Sequence, residues 1–95
     1  MNSGKFHFRK WDNWWYCIAV DPYAKKNNPA YYVFMFTPQE LGTMHRYYRA
    51  GNAPISIKGL FRYGKGYLRL RGHPPSDPCR TLISDNINRI FWSKS

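Results

Sequence analysis

The chain has 95 residues, 43% of them hydrophobic and 19% aromatic, and its 15 Lys and Arg outnumber its 5 Asp and Glu, giving a formal net charge of +10. This length suits one domain, and the apolar content excludes a disordered basic tail. We therefore predict a single folded domain over residues 1–95. The charge exceeds the magnitude of about 2–8 that solubility requires of a small domain, and it favours a protein with an anionic partner.

No segment of the sequence has the length and apolar character of a secretory signal or a membrane span. We therefore expect a cytoplasmic protein that does not bind membranes. Cys17 and Cys79 make one disulfide possible. Without a secretory signal, reduced structural thiols are favoured.

The first third of the chain predicts a β-hairpin followed by a loop. Residues 5–9 alternate polar and aromatic side chains, which is the period-two pattern of a half-buried strand. Asp12 and Asn13 form a turn signal, and residues 14–20 are aromatic and β-branched like a second strand. Residues 21–29 hold two prolines, two asparagines and two lysines, so we expect a loop there.

A central strand and a helix are predicted next. Residues 31–36 are apolar on both faces, which is typical of a strand covered on each side. Thr37, Pro38 and Glu40 give the clearest local signal, with an N-cap, a proline at the first helical position and the glutamate of a capping box. This helix would run to residue 49 or 50 and end at Gly51. Its predicted inner face consists of Leu41, Met44, His45 and Tyr48.

A second β-hairpin is predicted from residues 54–62 and 67–72, joined by a turn centred on Gly64 and Lys65. In this register Lys58 lies opposite Arg71, and a slip of one residue would bury the arginines. The inward face would consist of Ile57, Gly59, Phe61, Leu68 and Leu70. The outward face would consist of Ser56, Lys58, Leu60, Arg62, Tyr67, Arg69 and Arg71.

The C-terminal part predicts an exposed proline-rich connector at residues 73–79 and a short helix within residues 84–92. The predicted fold is therefore α+β. An antiparallel sheet of four to five strands would carry one helix, at about residues 37–50, and the short C-terminal helix. Both a monomer and a homodimer are compatible with the sequence.

The outward face of the second hairpin is the candidate binding surface. No acidic residue occurs between residues 41 and 76, and the cations of this window are mostly arginine. Guanidinium groups match phosphate oxygens and stack on bases, so we predict a nucleic-acid-binding protein. The predicted contact residues are Lys58, Arg62, Lys65, Tyr67, Arg69 and Arg71, with Arg46 and Arg49 as further backbone contacts.

Two modes of binding fit these residues. Tyr47, Tyr63 and Tyr67 can stack on unpaired bases, but a β-ribbon or helix in the major groove of DNA would use the same side chains. The sequence distinguishes neither DNA from RNA nor single from double strands. A solvated strand that resists edge aggregation would also carry such cations. Lys25 and Lys26, in the predicted loop, would provide a second contact arm.

The sequence predicts no metal, no cofactor and no catalytic activity. The His and Cys residues lack the paired short spacings of zinc sites, and Gly64-Lys65-Gly66 lacks the ending of a phosphate-binding loop. Five scattered acids do not easily form the carboxylate cluster of a metal-dependent nuclease.

Two other classes of function stay open. A metal-independent RNA-cleaving toxin would use His73 beside Arg71 and Tyr67 for acid–base chemistry and phosphate stabilisation. A small inhibitor or adaptor of the phage or mobile-element type would bind an acidic surface on a protein that handles nucleic acid, for example in a host-defence complex. Arg, Tyr and Trp are common at the centres of such interfaces.

Overall fold

The chain folds into one antiparallel sheet with two helices, as seen in a computed structural model that describes residues 6–72. The strand order in the sheet follows the chain, β1-β2-β3-β4, and the predicted α+β class is confirmed. The described elements are β1 (Arg9–Trp11), β2 (Trp14–Val20), β3 (Ala30–Phe36), α1 (Pro38–Ala50), α2 (Ile57–Tyr63) and β4 (Gly66–Arg71). The predicted C-terminal connector and helix lie outside the described residues.

β1 and β2 form the first predicted hairpin, with Lys10 paired to Trp15. Asp12 turns the chain in the left-handed region, at a φ of 53°, which aspartate tolerates better than most residues. The first strand spans Arg9–Trp11 and is therefore displaced toward the C-terminus from the predicted residues 5–9, with which it shares Arg9. Phe8 precedes it and packs edge-on against Phe36, with ring centroids 5.7 Å apart.

β3 is the central strand that the sequence predicted, since it lies between β2 and β4. α1 follows it with the predicted capping box. The Glu40 amide donates to Thr37 Oγ1 at 3.2 Å, and the Thr37 amide donates to Glu40 Oε1 at 2.8 Å. The helix ends at Gly51, as expected. Of its predicted inner face, Leu41 and Met44 are buried, while His45 and Tyr48 are half-buried.

The second predicted β-hairpin is wrong, because residues 57–63 form a helix and β4 pairs with β3 instead. The Gly59 amide donates to Ser56 Oγ at 3.3 Å, so Ser56 caps the helix. Leu60 was expected to point outward and is fully buried, whereas Phe61 was expected to point inward and is 39% exposed. The predicted pairing of Lys58 with Arg71 does not form, since Arg71 pairs with Ala30.

Gly59 explains how α2 approaches α1 so closely. A Cβ atom at this position would lie 2.4 Å from the hydroxyl oxygen of Tyr48 and 2.6 Å from its ring. The same hydroxyl is 2.9 Å from Ser56 Oγ. A glycine therefore lets the Tyr48 ring lie across the helix backbone and reach the cap residue.

The two faces of the sheet have different coverings. Residues paired across antiparallel strands share a face, so Cys17, Phe34 and Tyr67 lie in one row. Cys17 and Phe34 pack in the main core with side chains of both helices. The opposite face carries a second cluster formed by Tyr16, Val33 and Met35 with Trp11, Trp14, Ile18 and Leu70.

β4 alternates in exposure as the sequence predicted, with Leu68 and Leu70 half-buried between exposed residues. Its exposed side chains, however, do not belong to a separate hairpin, because β4 pairs with β3 and residues 57–63 form a helix. Tyr67 shares a row with Phe34, and Arg69 pairs with Tyr32 on the same face. The exposed side of β4 therefore adjoins α2.

Candidate functional site

All eight predicted contact residues are exposed, but they belong to several elements and not to one hairpin. Lys58 and Arg62 lie on α2, Lys65 lies in the turn before β4, and α1 contributes two arginines. The remaining three follow the exposed side of β4: Tyr67, Arg69 and Arg71.

α2 places two cations and one aromatic ring on its solvent side. The spacing of three and four residues puts Lys58 next to both Phe61 and Arg62 along the helix surface. The Arg62 guanidinium also lies over the Tyr63 ring, 5.6 Å from its centroid, in cation–π geometry. The helical conformation therefore gathers side chains that a strand would have placed on opposite faces.

Phe61 and Tyr67 join α2 to β4. Their ring centroids are 4.8 Å apart and their planes are 82° apart, an edge-to-face arrangement. Each ring also contacts Tyr32 and Phe34, at centroid distances between 4.9 and 5.8 Å. Phe34 is completely buried, whereas Phe61 is 39% and Tyr67 49% exposed. We call Phe61 and Tyr67 the aromatic junction; it is anchored in the core and open to solvent.

We call the aromatic junction, together with the cations beside it, the α2–β4 surface. Its cations are Lys58 and Arg62 on α2, Lys65 in the turn, and Arg71 on β4. Arg71 is on the same side of its strand as Tyr67, because alternate residues of a strand share a face. The acidic residues between positions 6 and 72 are Asp12, Asp21 and Glu40, and Glu40 is engaged in the cap of α1.

Arg69 departs from the expectation of an uncompensated row of guanidinium groups. Its Nε donates to Asp21 Oδ2 at 2.9 Å, and 34% of its side chain is exposed. A hydrogen bond from the Tyr23 amide, followed by the bond from Arg69, lowers the pKa of Asp21. Its hydrogen bond to Asp21 in turn raises the pKa of Arg69. Arg69 is thus a partnered cation that fixes the local structure.

The Asp21–Arg69 pair also fixes the loop between β2 and β3. The Gly72 amide donates to the Pro29 carbonyl at 3.1 Å and so ties the other end of the loop to the end of β4. Lys25 and Lys26 are exposed on this loop. The predicted second contact arm therefore starts at the end of the sheet where Arg71 lies.

Arg46 and Arg49 are separated from the α2–β4 surface. Tyr47 contacts Tyr63, with ring centroids 6.1 Å apart, and Tyr48 contacts α2 at Ser56. An α-helix turns by about 100° per residue, so Arg46 and Arg49 each point about 150° away, around the axis of α1, from the direction midway between Tyr47 and Tyr48. The structure therefore does not bring these two arginines together with the other predicted contact residues.

A pocket of about 580 Å³ lies at the C-terminal end of α1 and is lined by His45, Tyr48, Arg49, Asn52, Ala53, Pro54 and Ile55. His45 Nε2 is buried and has no hydrogen-bond partner among residues 6–72. Its ring meets the Phe8 ring edge-on at 5.3 Å. Burial lowers the pKa of His45, so the neutral form is favoured.

The thiol of Cys17 is free and completely buried, and burial raises its pKa. A buried thiol with a raised pKa is inert as a nucleophile. Across residues 6–72, no three His, Cys, Asp or Glu side chains form a group suited to holding a metal ion. Neither helix of this stretch is long and apolar enough to cross a membrane. His73, central to the toxin alternative, lies outside the described residues.

Two residues of the site were missed from the sequence. Phe61 was assigned to the inward face, although its spacing from Lys58 fits a shared helix surface. Asp21 was assigned only to the predicted loop of residues 21–29, and its partner Arg69 lies 48 residues away. No local pattern indicates a contact of that separation. No protein family matches this chain, and no curated protein or solved structure shows significant similarity to it.

Proposed function

We propose that this chain is a non-enzymatic nucleic-acid-binding protein and that the α2–β4 surface is its contact surface. The observation that supports the proposal is the combination of four exposed cations with two exposed aromatic rings on adjoining elements. Lys and Arg neutralise phosphates, and the counterions they release drive binding. Aromatic rings add contacts to bases.

The charge of the surface favours a polyanion over a single small anion. The formal net charge of the chain is +10, and no acid lies between residues 41 and 72. Asp21 contacts β4 from the loop between β2 and β3. Its ion pair is with Arg69, which is not one of the four cations of the α2–β4 surface. A row of cations spread along a helix and a strand suits an extended ligand with repeated negative charges.

The proposed location is the cytoplasm, where thiols are kept reduced. The free thiol of Cys17 supports this location. Nucleic acid is the proposed partner, and an acidic protein surface is the alternative that a binding experiment must distinguish.

The central test compares two charge-matched double variants. Lys58→Gln with Arg62→Gln removes two cations from the α2–β4 surface, while Arg46→Gln with Arg49→Gln removes two from the far side of α1. Binding of labelled DNA and RNA strands is measured over a range of salt concentrations. The first variant should reduce the slope of log affinity against log salt by about 0.7–0.9 for each lost phosphate contact.

The Arg46 and Arg49 variant should change the slope much less. Equal reductions in the two variants would mean that binding depends on overall charge and not on the α2–β4 surface. An unchanged slope in the Lys58 and Arg62 variant would remove this surface from the contact.

Two further assays address the other classes of function. In a pull-down from nuclease-treated lysate, an acidic protein retained without nucleic acid would favour the inhibitor or adaptor alternative. Incubation with RNA in the presence of EDTA tests for metal-independent cleavage. Discrete cleavage that His73→Ala abolishes would contradict a non-enzymatic function.

A further inference from the structure

The aromatic junction is exposed although its rings are apolar enough to be buried. Phe61 and Tyr67 leave 39% and 49% of their surface in solvent, and exposed cations flank them on both elements. Exposed aromatic surface within a charged rim is typical of a site that contacts a ligand. Phosphate binding alone would need the cations but not the rings.

We propose that the ligand is a single strand whose unpaired bases stack on Phe61 and Tyr67. This inference rests on the proposed function and specifies its ligand. Lys58 and Arg62 would contact the phosphates on the α2 side of the bases, and Arg71 would contact them on the β4 side. Stacking on aromatic side chains accepts every base, because each base has a π-face.

The angle between the two rings distinguishes a single strand from a duplex. Their planes are 82° apart, so bases stacked on both rings must also be turned nearly perpendicular to each other. The bases of a duplex lie stacked on one another and present only their edges in the grooves. A flexible single strand can splay neighbouring bases and satisfy both rings.

Contacts with the core position both rings of the aromatic junction. Tyr32 and Phe34 support both rings from the core side. Arg69, two residues after Tyr67, is fixed by its 2.9 Å bond to Asp21. A platform that is ordered before binding loses less conformational entropy when the ligand arrives.

The test measures binding of a DNA strand of about 20 nucleotides, longer than the roughly 4–16 that one small binding domain covers. The RNA strand of the same sequence and the DNA duplex are measured in parallel. Phe61→Leu and Tyr67→Leu remove a ring but keep an apolar side chain, and each should weaken single-strand binding about 5- to 150-fold. Tyr23→Leu is the matched control, because Tyr23 is 94% exposed on the loop between β2 and β3, outside the α2–β4 surface, and its loss should leave the affinity unchanged.

The salt slope separates this inference from the proposed function. Loss of a ring should leave the slope unchanged, whereas loss of Lys58 and Arg62 should flatten it. Equal affinity for strand and duplex, with no effect of the leucine variants, would overturn stacking while the slope still supports nucleic-acid binding. Failure of the wild-type protein to bind any of the three ligands would overturn both proposals.

A measurement on the wild-type protein covers the case in which a leucine variant does not fold. A strand containing 5-iodouracil is photo-crosslinked to the protein, and the attached residues are identified by mass spectrometry. Crosslinks at Phe61 or Tyr67 would support stacking. Crosslinks confined to other aromatic residues, such as Tyr23 or Tyr47, would contradict it. Tyr67→Phe retains the ring and should bind as the wild type does.

Discussion

The two helices differ in what specifies them. α1 has 13 residues, a complete capping box, an acid in its first turn and a base in its last turn. α2 has seven residues and no acid in its first turn. An isolated helix of that length is unstable in water, so α2 depends on its contacts with Tyr48 and the core. The proposed binding surface is therefore built on the helix that depends more on tertiary structure.

The largest effect is expected from Leu60→Ala. Leu60 is completely buried, and truncating such a side chain costs about 2–5 kcal/mol of unfolding free energy. If tertiary contacts specify α2, its amides should also exchange with solvent sooner than those of α1. Denaturant unfolding and hydrogen exchange measure the two effects.

Leu41→Ala provides the comparison from the other helix. Leu41 packs in the same core cluster, so its truncation should lower global stability without selectively opening α2. Identical exchange patterns in the two variants would show that the helices unfold together and that α2 is not separately dependent.

A smaller effect, whose sign depends on the neighbouring side chain, is expected at Gly59. Alanine favours a helix over glycine by about 0.5–1 kcal/mol, but its Cβ would displace the Tyr48 ring, and overpacking costs about 1–3 kcal/mol. Gly59→Ala should therefore destabilise the wild type and stabilise a Tyr48→Ala background. A double-mutant cycle of unfolding free energies measures the coupling. Destabilisation of equal size in both backgrounds would refute the steric explanation.

The same contrast explains which parts of the fold could be predicted from the sequence. Thr37, Pro38 and Glu40 specify the start of α1 within four residues, so a local pattern was sufficient. Residues 57–63 have apolar side chains that fit both periodicities, and a short apolar run does not distinguish helix from strand. In the helical conformation Gly59 and Leu60 are buried, and Gly59 lies against Tyr48 of α1, so contacts between elements favour the helix.

The candidate site also has a part that could be predicted from the sequence and a part that depends on tertiary contacts. Its cations were identified from composition and charge, and all eight predicted contact residues are exposed. Their grouping was not predictable, because it follows from the helical spacing of α2 and the pairing of β4 with β3. The engagement of Arg69 by Asp21 likewise depends on the folded loop, since 48 residues separate the two.

The N-cap residues of the two helices, Thr37 and Ser56, can be compared through their effects on the unfolding free energy. Removing a Ser or Thr cap costs about 0.5–2 kcal/mol, so Thr37→Ala and Ser56→Ala should each lower the unfolding free energy by about 1 kcal/mol. Ser56→Asp keeps a capping oxygen and should restore stability, but its charge lies two residues before Lys58. We expect this variant to be stable and to bind nucleic acid less tightly. A destabilised Ser56→Asp variant would show that the Tyr48 hydroxyl contact matters more than the cap.

The smallest expected effect concerns His45 on α1, whose buried Nε2 has no hydrogen-bond partner in the part of the chain that the structure describes. The pKa of His45 is lowered by burial, so below the unfolded value of about 6.5 the unfolded chain binds more protons than the folded one. The contribution of His45 to stability is complete above that pH and is lost as the pH falls through the lowered folded pKa.

The contribution of Asp21, whose pKa is also lowered, is lost only below about 3.9. Unfolding free energies measured from pH 8 to 5 should therefore fall in the wild type and fall less in His45→Phe, which keeps an aromatic ring against Phe8. A wild-type curve that is flat over this range would mean that His45 accepts a proton in the folded state as readily as in the unfolded chain, and that its burial does not disfavour the charged form.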